Sequence, residues 1–302
     1  MRLALIGDIH FYSLLLHPRR MLSRRIFGQS NLWLNRRNRF VHDVLEPLIE
    51  RLRGASPDAV LCSGDVSTTS LETEFAMAAK LFDPVHADVP VVVVPGNHDR
   101  YTFTARRRKR IEGIMHGMLP ESFPHVRDLS PSWKLVALDA ATPNVLFSRG
   151  RLGESQLTAL AATLAGVNEG EGVVILCHYP VAVPPGVPTV WTHDLKEDKR
   201  VREAIASCRG EVVFLHGHIH KPWRWESRKG GLDMTCVNAG SPCYTSDRYP
   251  LGQGFWEIDL PDDAGHRIEM VHHYPMPAGG EDRRTLSRLK RLPEIEWLAE
   301  RE

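Results

Sequence analysis

Cysteine is scarce in this sequence, and its pattern offers no pairing. Cys62, Cys177, Cys208, Cys236 and Cys243 are odd in number, and no CxxC spacing occurs among them. Such a set builds neither a disulfide framework nor a thiolate metal cluster, so a reduced, cytoplasmic protein is expected. No apolar run approaches the ~20 residues that a membrane span requires. The first strand-like run begins at residue 2, which leaves no room ahead of it for a signal peptide. An excess of one charge sign is also missing. Thirty-eight Lys and Arg stand against 37 Asp and Glu, for a net charge of +1. No global field then favours nucleic acid, and no nucleic-acid partner is expected. Internal repeats and linkers are absent as well. One local shortage is informative: no acidic residue occurs from Phe11 to His42.

What is present is a series of short apolar runs, each ending in polar residues of metal-binding type. Leu3 to Ile6 reads as a buried strand that breaks at Gly7 and delivers Asp8 and His10. Side chains two apart on an extended backbone share a side, so these two are expected to point the same way. Ala59 to Cys62 ends in Ser63-Gly64-Asp65, and Val91 to Val94 ends in Pro95-Gly96-Asn97-His98-Asp99. Val173 to Cys177 ends at His178, and Val212 to Leu215 ends in His216-Gly-His-Ile-His220. Gly7, Gly64, Gly96 and Gly217 each precede a polar group where a sharp turn is expected.

Helical spacing is read over 39–53, with Pro47 expected to kink it. A helix to about Phe82 follows a capping-box spacing at Thr69 and Glu72. A further helix is read over 104–118, carrying the basic run Arg106 to Arg110. Helices are also expected near 154–164 and 201–207, with a charged helical tail in the last residues. Strands alternate with helices, and β-rich sequence dominates the last third. The expected fold class is α/β, with two packed sheets and helices outside them. One domain over 1–275 is expected, with a basic-apolar insertion at 11–40 and a C-terminal tail at 276–302.

Ligands of α/β sheets gather outside the carboxyl ends of strands, and the polar groups named above all fall there. Asp8, His10, Asp65, Asn97, His98, His178, His218 and His220 form a mixed oxygen and nitrogen set. That chemistry suits Zn, Mn or Fe. Six or seven ligands exceed one tetrahedral ion and fit two divalent ions sharing a carboxylate. Such a pair can clamp phosphate oxygens and supply a nucleophile at neutral pH.

The ordered motifs Gly7-Asp8-Ile9-His10, Gly64-Asp65, Gly96-Asn97-His98-Asp99, His178 and Gly217-His218-Ile219-His220 resemble those of the calcineurin-like metallophosphoesterases. Asn238-Ala-Gly-Ser241 resembles that family's closing segment. The resemblance implies a four-layer αββα sandwich and a dinuclear centre, with Mn²⁺ the leading metal and Fe or Zn the alternatives. By motif position it implies that Asp8, His10 and His220 hold one ion. Asn97, His178 and His218 would hold the other, with Asp65 bridging. His98 would be the catalytic histidine that is not a ligand, and Asp99 would orient it.

The stretch Leu14–Phe40 mixes Leu, Trp and Arg and follows the first two ligands directly. It reads either as an insertion packed on the body or as an element for a membrane surface or an amphiphilic substrate. The stretch from Leu16–Arg25 through Asn31–Arg37, with Gly64–Ser70 and Asn97–Thr102, is similar to the chlamydial-type UDP-2,3-diacylglucosamine hydrolases of lipid A synthesis. That resemblance implies an acylated UDP-sugar substrate, cleaved at its pyrophosphate to lipid X and UMP, and peripheral contact with the inner face of the cytoplasmic membrane. The alternatives are a soluble phosphodiester such as a cyclic nucleotide and, more remotely, a binding scaffold without catalysis. Arg100, Tyr101 and His193 are the candidate substrate contacts. His193 follows a Pro-rich loop and Trp191 that are expected to overhang the site.

Overall fold

The computed structural model describes residues 1–13, 39–143, 148–187, 193–227, 232–246, 248–262 and 268–275. Most of the basic-apolar stretch, Trp191 and the charged tail lie outside the described residues.

Eleven strands form two sheets among the described residues. The first has the order β11-β10-β1-β2-β3, built from Glu269–His273, Phe255–Asp259, Arg2–Ile6, Ala59–Cys62 and Val91–Val93. The second has the order β4-β5-β6-β7-β9-β8, built from His125–Asp128, Trp133–Ala137, Gly172–Leu176, Glu211–His216, Met234–Asn238 and Trp223–Ser227. Alternation along the strands divides the apolar side chains between two faces. Leu3, Leu5 and Leu61 of the first sheet meet Leu135, Val174 and Val213 of the second in a shared core. The opposite face of the first sheet, Ala4, Ile6 and Val60, is covered by Leu48 and Leu52 of α1 (Leu45–Gly54) and Phe75 and Phe82 of α2 (Glu72–His86). The opposite face of the second, Val173, Ile175 and Phe214, is covered by α5 (Glu154–Ala165) and α6 (Asp198–Ala206). The result is the four-layer αββα sandwich.

Several local expectations change. The helix read over 39–53 is a 3₁₀ turn, His42–Val44, that passes into α1 at Leu45, and Pro47 falls in the first turn of α1, where proline is best tolerated. Helix α2 is capped by Glu74 rather than Glu72: the buried Glu74 carboxylate takes the Leu71 and Thr69 N–H groups at 3.0 and 2.8 Å. The helix read over 104–118 is two short ones, α3 (Phe103–Arg107) and α4 (Arg110–Ile114), separated by Lys109 in the left-handed region. Strand β4 has no run of apolar or alternating residues to announce it, and its side chains are mostly exposed at the sheet's edge. No helix among the described residues is long and apolar enough to cross a membrane. All five cysteines are free.

Strands β1, β2 and β3 are parallel neighbours, and so are β5, β6, β7 and β9. Their carboxyl ends therefore open on a common rim, and the loops after β1, β2, β3, β6, β7 and β9 each carry a polar motif.

Candidate metal centre

The loop after β1 is not extended. Beyond Ile6 the chain runs beside the loop after β2, with Asp8 N donating to Gly64 O at 2.8 Å and His10 N to Asp65 O at 2.9 Å. Asp8 and His10 share a side because both adopt left-handed backbone, φ 52° and 53°, rather than through strand alternation. Asp65, His218 and His220 do the same at 51°, 73° and 53°. Five of the eight described non-glycine residues with positive φ are thus at this one site. Strained backbone of this kind concentrates where function over-determines it.

The glycines also act differently from the expectation. Of the four, Gly64 alone has positive φ. Gly96 and Gly217 are needed for close approach: a methyl at Gly96 would strike the Asp65 carboxylate, and one at Gly217 would strike the Asp8 carboxylate.

The side chains form two clusters that meet at Asp65. Asp8, His10, Asp65 and His220 make one, and Asp65, His178 and His218 the other. In the first, His10 Nε2 lies 2.9 Å from His220 Nε2, which lies 3.3 Å from Asp8 Oδ1. In the second, His178 Nε2 lies 3.1 Å from His218 Nδ1 and 3.0 Å from Asn97 Oδ1. Asp65 Oδ2 stands between the two, 3.7 Å from His10 Nε2 and 3.3 Å from His178 Nε2. Donor atoms about 2.1 Å from a common ion are themselves roughly 3.0–3.4 Å apart, and most of these separations fall near that range. The set is all oxygen and imidazole nitrogen, so the residues fit hard-to-borderline divalent ions.

Hydrogen bonds from the backbone orient these groups. The His178 Nδ1–H donates to Ser63 O at 2.8 Å, which leaves Nε2 to face the cluster. Both Asp8 carboxylate oxygens accept the His218 N–H, and the buried Ser241 hydroxyl donates to Asp8 O at 2.6 Å. Buried Asn238 donates to Gly217 O at 3.1 Å, and buried Gln253 donates to His220 O at 2.8 Å. Asn238 belonged to a motif seen in the sequence. Gln253 sits in no local pattern and could not have been found there.

Charge is concentrated here and balanced internally. Burial alone would raise the pKa of Asp65, but the surrounding His178, His98 and His10 imidazoles outweigh it and hold Asp65 well below the usual carboxylate range. Burial works against charge on His178 too, yet the Asp65 and Asp8 carboxylates lift it to about 9.

His98 sits beside the clusters, its ring 4.8 Å from that of His10. Its Nδ1–H donates to Thr68 O at 2.7 Å, and its backbone N–H donates to Asp65 Oδ1 at 2.7 Å. The orienting role expected of Asp99 thus falls to the Thr68 carbonyl. Asp99 instead binds Gly96 N, Ser67 N and Ser67 Oγ, each at 2.9 Å, and so fastens its own loop to the one after β2. Nothing in the local sequence marked Thr68, because its contribution is a backbone oxygen.

The three candidate substrate contacts separate. Tyr101 stacks on His98 with centroids 5.6 Å apart and planes 13° from parallel. Exposed His193 approaches His218, rings 5.6 Å apart. Arg100 is not presented at the site: it is buried and paired with Glu112 at 2.5 Å and Asp139 at 2.9 Å.

Comparison with known proteins places this geometry. The model of the calcineurin-like phosphoesterase family matches residues 1–222, which contain every motif from Asp8 to His220. A "probable cyclic nucleotide phosphodiesterase" of Rhodococcus erythropolis is 26% identical over 200 residues, 64% of this chain and 60% of the relative. The 3′,5′-cyclic adenosine monophosphate phosphodiesterase CpdA of Vibrio vulnificus is 25% identical over 167 residues, 54% of this chain and 55% of the relative. The chain thus matches less than two thirds of either relative's length. Among solved structures, a dimetal phosphatase of Danio rerio superposes with a TM-score of 0.59 at 17% identity, covering 91% of this chain and 96% of its own. Purple acid phosphatase of yellow lupin gives 0.57 at 13% identity, covering 91% of this chain and 51% of its own. At such identity these two show a shared fold. With the family's model matched over residues 1–222, this chain belongs to the calcineurin-like phosphoesterases.

Proposed function

We propose that this protein is a dinuclear-metal phosphodiester hydrolase acting on a nucleotide-type phosphodiester, a cyclic nucleotide being the leading form. The observation that carries this reading is Asp65 Oδ2, set 3.3 and 3.7 Å from an imidazole nitrogen of each cluster. One carboxylate oxygen shared by two groups of donors is the arrangement that two ions require. Asp8, His10 and His220 would hold one ion, and Asn97, His178 and His218 the other. Bound ions would polarise the phosphoryl oxygens and bring a water pKa down to about 7.

The chain's own residues supply the rest. With Nδ1 of His98 directed at the Thr68 carbonyl, Nε2 is the ring atom that would carry the transferred proton. A proton there can pass to the departing ester oxygen, which leaves as an alcohol. Tyr101, stacked on His98, limits the tilt of that ring. Buried Asp99 keeps the loops after β2 and β3 in register, so Asp65, Asn97 and His98 hold their relative positions.

The named activity of both curated relatives supports a soluble phosphodiester over the acylated UDP-sugar. The acylated reading, with its membrane contact, rests on Leu14–Phe40, most of which lies outside the described residues, and on the resemblance of Gly64–Ser70 and Asn97–Thr102. A hydrolysis panel with Mn²⁺ separates them, using 3′,5′-cyclic AMP, bis-p-nitrophenyl phosphate, UDP-2,3-diacylglucosamine and its deacylated analogue. The expected result is turnover of the first two, lost to background in Asp65→Asn. Turnover confined to the acylated sugar would transfer the function to that substrate. Hydrolysis unaffected by Asp65→Asn would sink the dinuclear mechanism.

A further inference from the structure

Aromatic rings from two distant parts of the chain wall one side of the metal cluster. Phe40 stands edge-on to His10, with centroids 5.2 Å apart and planes at 68°. Tyr244 lies 5.9 Å from His220 and 5.3 Å from Phe40. Phe40 is buried, whereas Tyr244 is only half-buried and so offers surface at the rim. The exposed Arg39 guanidinium donates from Nη1 to the Tyr244 phenol oxygen at 2.9 Å. Neither Phe40 nor Arg39 can ligate a cation, so the metal chemistry leaves this group unused.

The wall is built as firmly as the ligands. Phe40 and Tyr244 face each other across a short antiparallel bridge. Val41 N donates to Cys243 O at 2.9 Å, and Thr245 N donates to Arg39 O at 2.7 Å. The same loop is tied to the loop after β1 through Ser241 Oγ to Asp8 O at 2.6 Å and Cys243 Sγ to Ile9 O at 3.1 Å. These bonds tie the wall to the protein without drawing on a ligand, and a wall held in place in this way lowers the cost of binding.

We propose that Tyr244 and Arg39 form the subsite for the aromatic heterocycle of the substrate, a nucleobase whose phosphate occupies the Asp65 clusters. The inference rests on the nucleotide-type phosphodiester reading of the same site and names the residues that would select it. A half-buried phenol ring stacks on any flat heterocycle. The adjoining guanidinium can stack on the same ring or donate to its nitrogen and oxygen acceptors. An aliphatic acyl chain could pack on the phenol ring but would make no use of the guanidinium.

The test compares 5′-AMP with ribose 5-phosphate, which differ only by the base, in calorimetric titrations of the Mn²⁺-supplied full chain. The wild type is expected to bind AMP about tenfold more tightly, the scale of one base stacked on one ring. Tyr244→Leu is expected to bring that ratio close to one with little change for ribose 5-phosphate. Arg39→Gln should lower the ratio at least about threefold, and Tyr244→Phe, which keeps the ring, should retain most of it. Equal binding of the two ligands by the wild type, or binding of neither, overturns the proposal. So does a ratio that survives in a folded Tyr244→Leu. If that variant does not fold, an unchanged ratio in Arg39→Gln overturns it instead. Loss of the catalytic reading is seen separately, as failure of the wild type to hydrolyse any phosphodiester of the panel.

Discussion

Asp8, His10, Asp65, His218 and His220 each hold a backbone conformation that side chains disfavour by about 1–2 kcal/mol. What keeps them there is local and visible. The N–H groups of Asp8 and His10 are held by Gly64 and Asp65 carbonyls, and that of His218 by the Asp8 carboxylate. Turning the chain left-handed at each of these points brings donors from three loops to a few ångströms without lengthening any loop. The glycines complete this by letting a neighbouring carboxylate come close. Gly217→Ala tests that role without touching a ligand. Its methyl would meet Asp8 and Ser63 side chains, so Asp8 must shift. Mn²⁺ affinity in calorimetry is expected to fall about 10–100-fold, the usual effect of disturbing a group that orients a ligand. Unchanged affinity would show that Asp8 has room the close approach does not suggest.

Between elements, the loops after β2 and β3 are fastened to each other and then to the second sheet. Ser67 and Ser70 hydroxyls donate to His98 O at 3.2 and 2.7 Å, and Asp99 accepts from both loops. Arg100 then reaches α4 through Glu112 and the loop after β5 through Asp139. Burial raises the pKa of Asp139, and the Arg100 charge opposes that rise. Removing the guanidinium would strand a mostly buried carboxylate, an effect that costs about 3–5 kcal/mol where a pair is deeply buried. Arg100→Met is expected to lose stability on the order of 3 kcal/mol in urea unfolding. A substrate-binding arginine would instead raise KM and leave the urea midpoint unchanged, so the two roles separate in one pair of measurements.

Across the whole molecule, two sheets share one apolar core and open their parallel strands on the same rim. Stability as a function of pH is also a property of the whole molecule, and His272 at the edge of the first sheet contributes to it. It lies between Trp256 and Tyr274, with both ring nitrogens shielded from solvent and lacking a hydrogen-bond partner among the described residues. Burial and the neighbouring His273 push its pKa down to about 3. The unfolded chain takes a proton on this residue near pH 6.5, and the folded chain does not until about pH 3. His272 therefore contributes stability above pH 6.5 that is lost as pH falls through that window, by up to about 1.4 kcal/mol per pH unit. His272→Phe is expected to flatten the acid side of the stability curve, measured by urea midpoint from pH 7 to pH 4. An unchanged slope would show that His272 already titrates normally in the folded protein.

Local pattern along the chain showed which residues close the strands and what chemistry they could share. Buried parallel strands read as short apolar runs, and six of the seven that end at the rim stop in a polar motif, so the side chains that gather in the two clusters were legible from Asp8 to His220. The α/β class and the layering followed from the same alternation. It did not determine how those residues meet. The left-handed turns at five of them, the Thr68 carbonyl that fixes His98 and the pairing of Arg100 with Glu112 and Asp139 depend on loops from separate strands. The break at Lys109 and the exposed edge strand β4 carry no periodic signal of their own. The aromatic wall depends on residues some two hundred positions apart, brought together when β1 pairs with β10 and the loop before β10 closes on the loop after β1. Local sequence specifies propensity and periodicity over a few residues. Contacts at such separation are decided by sheet packing, because only the assembled core fixes which loop ends share the rim.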